Sequence, residues 1–354
     1  MDAGMRPAVR RMIVSVAAMA LLAGMAHAGI TIDMVTVGNP GNAPDTRYWT
    51  PGYGGVAYTY NIGKTEVTNA QYTVFLNAVA GLGDTYGLYY TDMAGTYGGI
   101  DRSGSGTVGD PYVYSSKGGD ANWDNRPVNY VSWGDAARLA NWLHNGQPTG
   151  AQDLTTTEDG SYYLNGATTH VALQAVTRKA DATWVIPSED EWYKAAYYDG
   201  NSSVYYDYPT GGNVAPTAEA PPGTDLTNGS ANYYSGGYMD PTYYTTVCGA
   251  YTAKPSDSPY GTFDQGGNLW EWTEAIIGSS DEYRSMRGGV YWNDGQYLHA
   301  QSRTYGNPAS DYYLSGFRVV DLAAEGQPIP EPGSLVLLGL GLTGALVRRK
   351  GPRR

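Results

Sequence analysis

The sequence predicts an α+β domain in which regular secondary structure is sparse and long loops carry much of the chain. Three observations predict it. Only three stretches place apolar residues at helical spacing behind a recognisable cap. Between them run short mixtures of Gly, Tyr, Ser, Thr and Asn, with Gly 48 and Tyr 33 of 354 residues; so many aromatics argue for ordered loops and short strands rather than disorder. The third observation is a single dense stretch, Ser258 to Thr273, reading SPYGTFDQGGNLWEWT, which must turn sharply, present oxygens and anchor a core within a few residues.

The helices come in order. Thr68-x-x-Gln71 is a capping-box pattern, and Tyr72, Phe75, Leu76 and Val79 follow on one face. Ser132 caps a second helix whose Ala136, Leu139, Ala140 and Leu143 align similarly. Ser188-x-x-Glu191 after Pro187 starts a third, turning Trp192, Ala195 and Ala196 inward. All three read as scaffold. Residues 80–123 and 199–254 read as long loops, and such segments in a compact domain are usually functional or mobile. Their Tyr-rich, acidic composition suits stacking on sugar rings or contact with protein partners, or else simple adhesive padding.

In the dense stretch, Gly266 and Gly267 can turn carbonyls inward, and Asn268 and Glu271 add side-chain oxygens close by. A hard cation such as calcium takes six to eight oxygens of these types; the alternative is a Gly-rich turn whose Asn and Glu cap neighbouring backbone. Trp270 and Trp272, two apart, share a face if the segment is extended, and packing is their expected task, with a surface aromatic platform as the alternative.

Composition bounds the rest. A net charge of -12 argues against nucleic acid, whose phosphates demand clustered Lys and Arg. Cys248 is the only cysteine, so no disulfide closes within the chain and no cysteine-rich zinc site forms. Residues 1–28 have a basic start, an apolar middle and an Ala26-His27-Ala28 end, as a secretory signal peptide does. At the other end Pro330-Glu331-Pro332-Gly333 precedes an apolar run, Leu335 to Val347, and then a cluster of Arg and Lys. That run is shorter than the ~20 residues of an ordinary membrane helix. It resembles a PEP-CTERM sorting tail, read by exosortase-type machinery in Gram-negative envelopes, with its positive end held on the cytoplasmic side until processing; a plain C-terminal membrane anchor is the alternative. The expected division is therefore signal peptide 1–28, domain 29–327 and sorting segment 328–354.

A series of motifs in order gives the domain a family. GGNLWEWTE from Gly266, followed by Arg287-Gly288-Gly289 and Gly316-Phe317-Arg318, resembles the core signature of the sulfatase-modifying-factor family, the formylglycine-generating enzymes and their relatives. Upstream, GKTEVTN from Gly63, RPVNYVSW from Arg126 and WVIPSEDEW from Trp184 are similar to its other motifs. The resemblance implies a variant of the C-type lectin fold, with ions holding loops in place. Carried over residue by residue, it makes Asn268 and Glu271 calcium ligands together with the carbonyls of Gly267 and Leu269. For a second calcium site it offers Asn232, the Tyr233 carbonyl and Asp240, at shorter spacing than the family's. Arg287 and Arg318 become buried arginines that tie loops together through carboxylates.

The family's chemistry does not carry over so directly. Formylglycine-generating enzymes hold copper(I) with two cysteines, because soft thiolates select that ion. Here the corresponding segment reads GQYLHAQSR, with Gly295 and Ala300 where the cysteines would stand. One thiol at Cys248 cannot supply a two-thiolate site. Relatives with non-haem iron use histidine-rich sites, whereas His144, His170 and His299 show no paired ligand spacing, so neither copper nor iron is expected. His299, Gln301, Ser302 and Arg303 fall where the family's groove would be. Two functions follow: an exported, calcium-stabilised pseudoenzyme that binds exopolysaccharide, peptide or an envelope protein, or a metal-dependent oxidoreductase acting on an envelope protein or small thiol substrate.

Overall fold

The structure, a computed structural model, describes residues 29–278 and 283–322; the expected signal peptide and sorting segment lie outside the described residues. In chain order the strands are β1 (Met34–Val37), β2 (Tyr60–Gly63), β3 (Ile100–Ser103), β4 (Val113–Ser116) and β5 (Trp184–Val185). Next come four two-residue strands, β6 (Tyr198–Asp199), β7 (Val204–Tyr205), β8 (Thr217–Ala218) and β9 (Ser230–Ala231). The longest, β10 (Trp270–Ile277), is followed by β11 (Tyr283–Arg287), β12 (Thr304–Gly306), β13 (Ser315–Gly316) and β14 (Val320–Asp321). The helices are α1 (Asn69–Val79), α2 (Trp133–His144), α3 (His170–Gln174) and α4 (Glu189–Tyr197).

All three expected helices form where their caps place them. Thr68, Ser132 and Ser188 each accept from the third backbone N–H of their helix, and Gln71, Asp135 and Glu191 reach back to complete a capping box. Because α2 is buried along its whole length to Leu143, its polar residues need partners: Arg138 pairs with Glu158 at 2.7 Å, and Asn141 donates to the carbonyls of Thr157 and Tyr162. The short α3 carries too few apolar repeats to be read from spacing.

Two four-stranded sheets frame the core, ordered β1-β2-β14-β5 and β12-β11-β10-β13. In the first, β14 inserts between β2 and β5, and Val320 lies opposite both Ile62 and Val185, all three fully buried. In the second, β10 runs antiparallel to β11 and parallel to β13, with a register shift between Trp272 and Ile276. Trp272 is wholly buried, its indole N–H donating to the Val131 carbonyl at 3.0 Å, and Trp270 is buried beside it, so both rings pack. Gly306 on β12 is where a side chain would strike the Trp272 ring, since a Cβ there would lie 2.6 Å from it. The long loops are structured by short pieces only: residues 80–123 hold the β3–β4 hairpin, and residues 199–254 hold only the end of β6 and the strands β7 to β9.

Candidate functional site

The site is built where α4 crosses the second sheet. Glu271 on β10 pairs in register with Arg287 on β11, yet the two side chains choose other partners. Arg318 clasps Glu271 through two bonds of 2.6 Å, and the Trp192 indole donates to the same carboxylate at 2.7 Å. Arg287 instead reaches Glu189 on α4 at 2.7 Å, and Arg303 reaches the other oxygen of Glu189 at 2.6 Å. The acidic first turn of α4 thus gathers Arg287 and Arg303 on Glu189, while Arg318 holds Glu271 on β10.

The oxygen-rich turn beside it is more crowded than its sequence suggests. Gly267 has φ 92°, donates to Gly288 O at 2.9 Å, and a Cβ on it would lie 2.2 Å from the Asn232 carbonyl. Asn268, at φ 57°, accepts on its side-chain oxygen from Asn232 at 3.0 Å and from the backbone N–H and the hydroxyl of Thr246. Residues read as two calcium sites therefore meet at one place. Leu269 is fully buried behind them, while Tyr233 is half-buried and donates to the Pro216 carbonyl. Asp240 is directed elsewhere: it forms an ion pair with Arg126 at 2.8 Å and accepts from the N–H groups of Thr242 and Tyr243.

Two carboxylates that the sequence reading passed over stand at this turn. Asp264 lies inside SPYGTFDQGG and Glu66 inside GKTEVTN, so both were in plain view within the quoted motifs. Burial pushes the Asp264 carboxyl up to about 6, and burial together with the charges of Asp264 and Glu271 lifts Glu66 well above the usual carboxylate range. One oxygen of Glu66 is buried with no partner, as is the side-chain oxygen of Asn232. The buried Glu66 and Glu271 and the half-buried Asp264 thus share one arginine, Arg318, which acts on all of them. Among the described residues no three His, Cys, Asp or Glu side chains converge as a metal cage. Backbone carbonyls and amide oxygens would have to complete any cation's shell, which is calcium's habit rather than zinc's. Both oxygens of Glu271 are already held by Arg318 and Trp192, so a cation here would have to share them.

The expected groove is an open cavity of about 360 Å³ lined by Tyr208, Gln296, Tyr297, His299, Gln301 and Ser302. It brings together three of the four residues read for it; Arg303 is withdrawn into its ion pair with Glu189. The His299 ring lies between Tyr48 and Tyr208, with centroids 5.1 and 5.3 Å away. Its Nδ1 accepts the Gln301 N–H at 3.0 Å, leaving the proton on Nε2, which faces Asp207 at 3.9 Å. Asp207 also accepts from Tyr48 at 2.7 Å and Arg47 at 2.8 Å; burial and that bond push the Tyr48 phenol up to about 12. Nδ1 of His299 is therefore engaged within the protein, while Nε2 faces Asp207 beyond hydrogen-bond distance.

No thiol reaches the groove. At Gly295 a Cβ would lie 3.1 Å from the Tyr233 ring, and Ala300 is fully buried with its N–H on Asp207 O and its carbonyl on Arg287. Cys248 lies apart, its thiol 3.5 Å from Glu66, and burial beside Glu66 and Asp264 raises it well above the ordinary thiol range. Burial and the two carboxylates thus disfavour its thiolate.

Among the described residues two four-stranded sheets, three strand pairs, four short helices and loops pinned by buried arginines make the low-regularity α+β architecture expected of C-type-lectin-like domains. The model of the sulfatase-modifying factor enzyme 1-like domain matches residues 34–323, and the chain belongs to that family. A PEP-CTERM protein-sorting motif matches residues 328–350, so the protein is exported, sorted to the envelope and recognised by exosortase-type machinery. Solved structures similar to it include the crystal structure of CarF, at 19% identity over 82% of this chain and 98% of that one, with a TM-score of 0.48. Treponema denticola variable protein 1 is 16% identical over 83% and 96% of the two chains, with a TM-score of 0.47. PvdO from Pseudomonas aeruginosa is 15% identical over 82% and 92%, with a TM-score of 0.42. No curated protein matches the chain.

Proposed function

We propose that this domain is a non-catalytic, calcium-stabilised binding module of the Gram-negative envelope or extracellular matrix, engaging exopolysaccharide before any peptide. The observation that carries this reading is the groove itself. It retains about 360 Å³ of open space lined by phenols, amides and a hydroxyl, while the single thiol of the chain lies elsewhere, half-buried against Glu66. Phenols and amides hydrogen-bond and stack, which is what binding requires; a two-thiolate copper site requires what the groove lacks.

Calcium belongs to this reading as a stabiliser. A cation at Asp264, Glu271 and the carbonyls of Gly267 and Leu269 would neutralise charge that Arg318 alone does not balance. The sorting tail holds the protein at the inner membrane, positive end inward, until processing releases it.

The test incubates the protein with copper, oxygen, a reductant and a cysteine-containing sulfatase-type peptide, and follows peptide mass. The expected result is an unchanged peptide. An aldehyde product would return the domain to catalysis and end this reading.

A further inference from the structure

Aromatic rings from five separate loops meet in one continuous strip. From Tyr90 the path runs to Tyr130 (5.7 Å between centroids), Tyr313 (6.2 Å), Tyr97 (5.0 Å), Tyr244 (4.8 Å), Tyr238 (5.1 Å) and Trp292 (5.7 Å). Tyr130 is buried and fastens the strip to the core, the next four rings are half-buried, and the ends are open, Tyr90 at 40% and Trp292 at 47% exposure. A loop staple would hide its terminal rings; this strip presents them.

We propose that the Tyr90–Trp292 strip is a binding face for an uncharged polysaccharide chain, several sugar rings long. This inference rests on the binding-module reading above and adds a site distinct from the groove. Sugar rings offer flat C–H faces to aromatic rings and hydroxyls to phenol tips, so a row of adjoining tyrosines matches a row of linked sugars. Charge narrows the partner. Among the described residues the arginines that stack on tyrosines choose others, Arg126 on Tyr243 and Arg102 on Tyr89 and Tyr112, and the carboxylate of Asp92 acts on Tyr130. A net charge of -12 likewise disfavours an anionic polymer. An extended peptide would seek an open strand edge, and these rings come from loops outside the strands.

The test is native affinity electrophoresis of the full chain, in detergent, through gels containing hydroxyethylcellulose, a soluble β-1,3-glucan or galactomannan, with alginate as the anionic comparator. Retardation by at least one neutral glycan is expected, weakened about fivefold or more by Trp292→Ala and by Tyr238→Ala, as loss of one stacking ring implies. Trp292 is open enough that its removal spares the fold, which an unchanged melt checks. Val108→Ser, in the exposed turn of the β3–β4 hairpin, is expected to leave retardation intact, and Gln301→Ala reads out the groove. No retardation by any neutral glycan, or retardation by alginate alone, overturns the proposal. Loss through Gln301→Ala with the strip variants unaffected moves binding to the groove, overturning the strip but sparing the binding module. Strip-dependent retardation by a digest of envelope proteins, with none by glycans, gives the face to peptide and also overturns it.

Discussion

At the scale of single residues, buried charge dominates. Arg318 is fully buried and spends its guanidinium on Glu271 and on the carbonyls of Gly63 and Phe263, so it joins β10, the end of β2 and the dense turn at one point. Replacing it leaves Glu271 buried beside Asp264 and Glu66 with no cation. Arg318→Met is expected to cost about 3–5 kcal/mol in a urea melt; a loss under about 1 kcal/mol, the range of an exposed pair, would show the clasp to be incidental. Gly267 is constrained from two sides, by φ 92° and by the Asn232 carbonyl where a Cβ would go. Gly267→Ala is expected to cost about 2 kcal/mol or more, measured the same way, and wild-type stability in that variant would refute the close approach.

At the scale of elements, the caps and one carboxyl pair set the helix ends. The Ser132 hydroxyl bonds Asp135 at 2.6 Å and accepts the Asp135 N–H at 3.1 Å, so Ser132→Ala is expected to remove about 1–2 kcal/mol. Asp311, in the loop between β12 and β13, donates to Asp135 at the start of α2; burial and the Asp135 charge push its carboxyl up to about 9 from 3.8. The folded state therefore keeps a proton that the unfolded chain releases. This contribution is present in full below about pH 4, is lost as pH rises, and is gone above about 9. Asn at 311 carries no such proton. The melting-temperature difference between Asp311→Asn and the parent should accordingly shift in favour of the variant from pH 5 to pH 8, and a difference constant across that range would refute a shared proton.

At the scale of the whole molecule, stability rests on two small sheets, short helices and loops held by buried ion pairs. No disulfide assists, since Cys248 is alone. A bound ion adds stability in proportion to RT ln(1+[L]/Kd), about 2.7 kcal/mol at a hundredfold excess over Kd. Chelation with EDTA is expected to lower the melting temperature, and calcium in excess to restore it; Asp264→Asn should lower the calcium-dependent part of the gain. A melt indifferent to EDTA would remove calcium from the account of this domain.

Much of this was legible in the chain because it is local. A cap and a 3.6-residue apolar period lie within a dozen residues, so α1, α2 and α4 could be read from Thr68, Ser132 and Ser188. Motif order likewise identified the family, and SPYGTFDQGGNLWEWT located the turn. What the sequence could not decide were partners across long distances. Nothing local says that Arg287 chooses Glu189 on α4 rather than its register partner Glu271, or that Asn232 meets Asn268. Glu66 and Asp264 were visible as letters, yet their importance comes from burial beside Glu271, which only packing creates. The tyrosines of residues 80–123 and 199–254 were read as aromatic loops; that they join Tyr313 and Trp292 in one strip depends on closure of the chain. Local steric and hydrogen-bonding rules act within a few residues, whereas charge pairing and ring contact are settled by which distant segments the tertiary fold brings within a few ångströms.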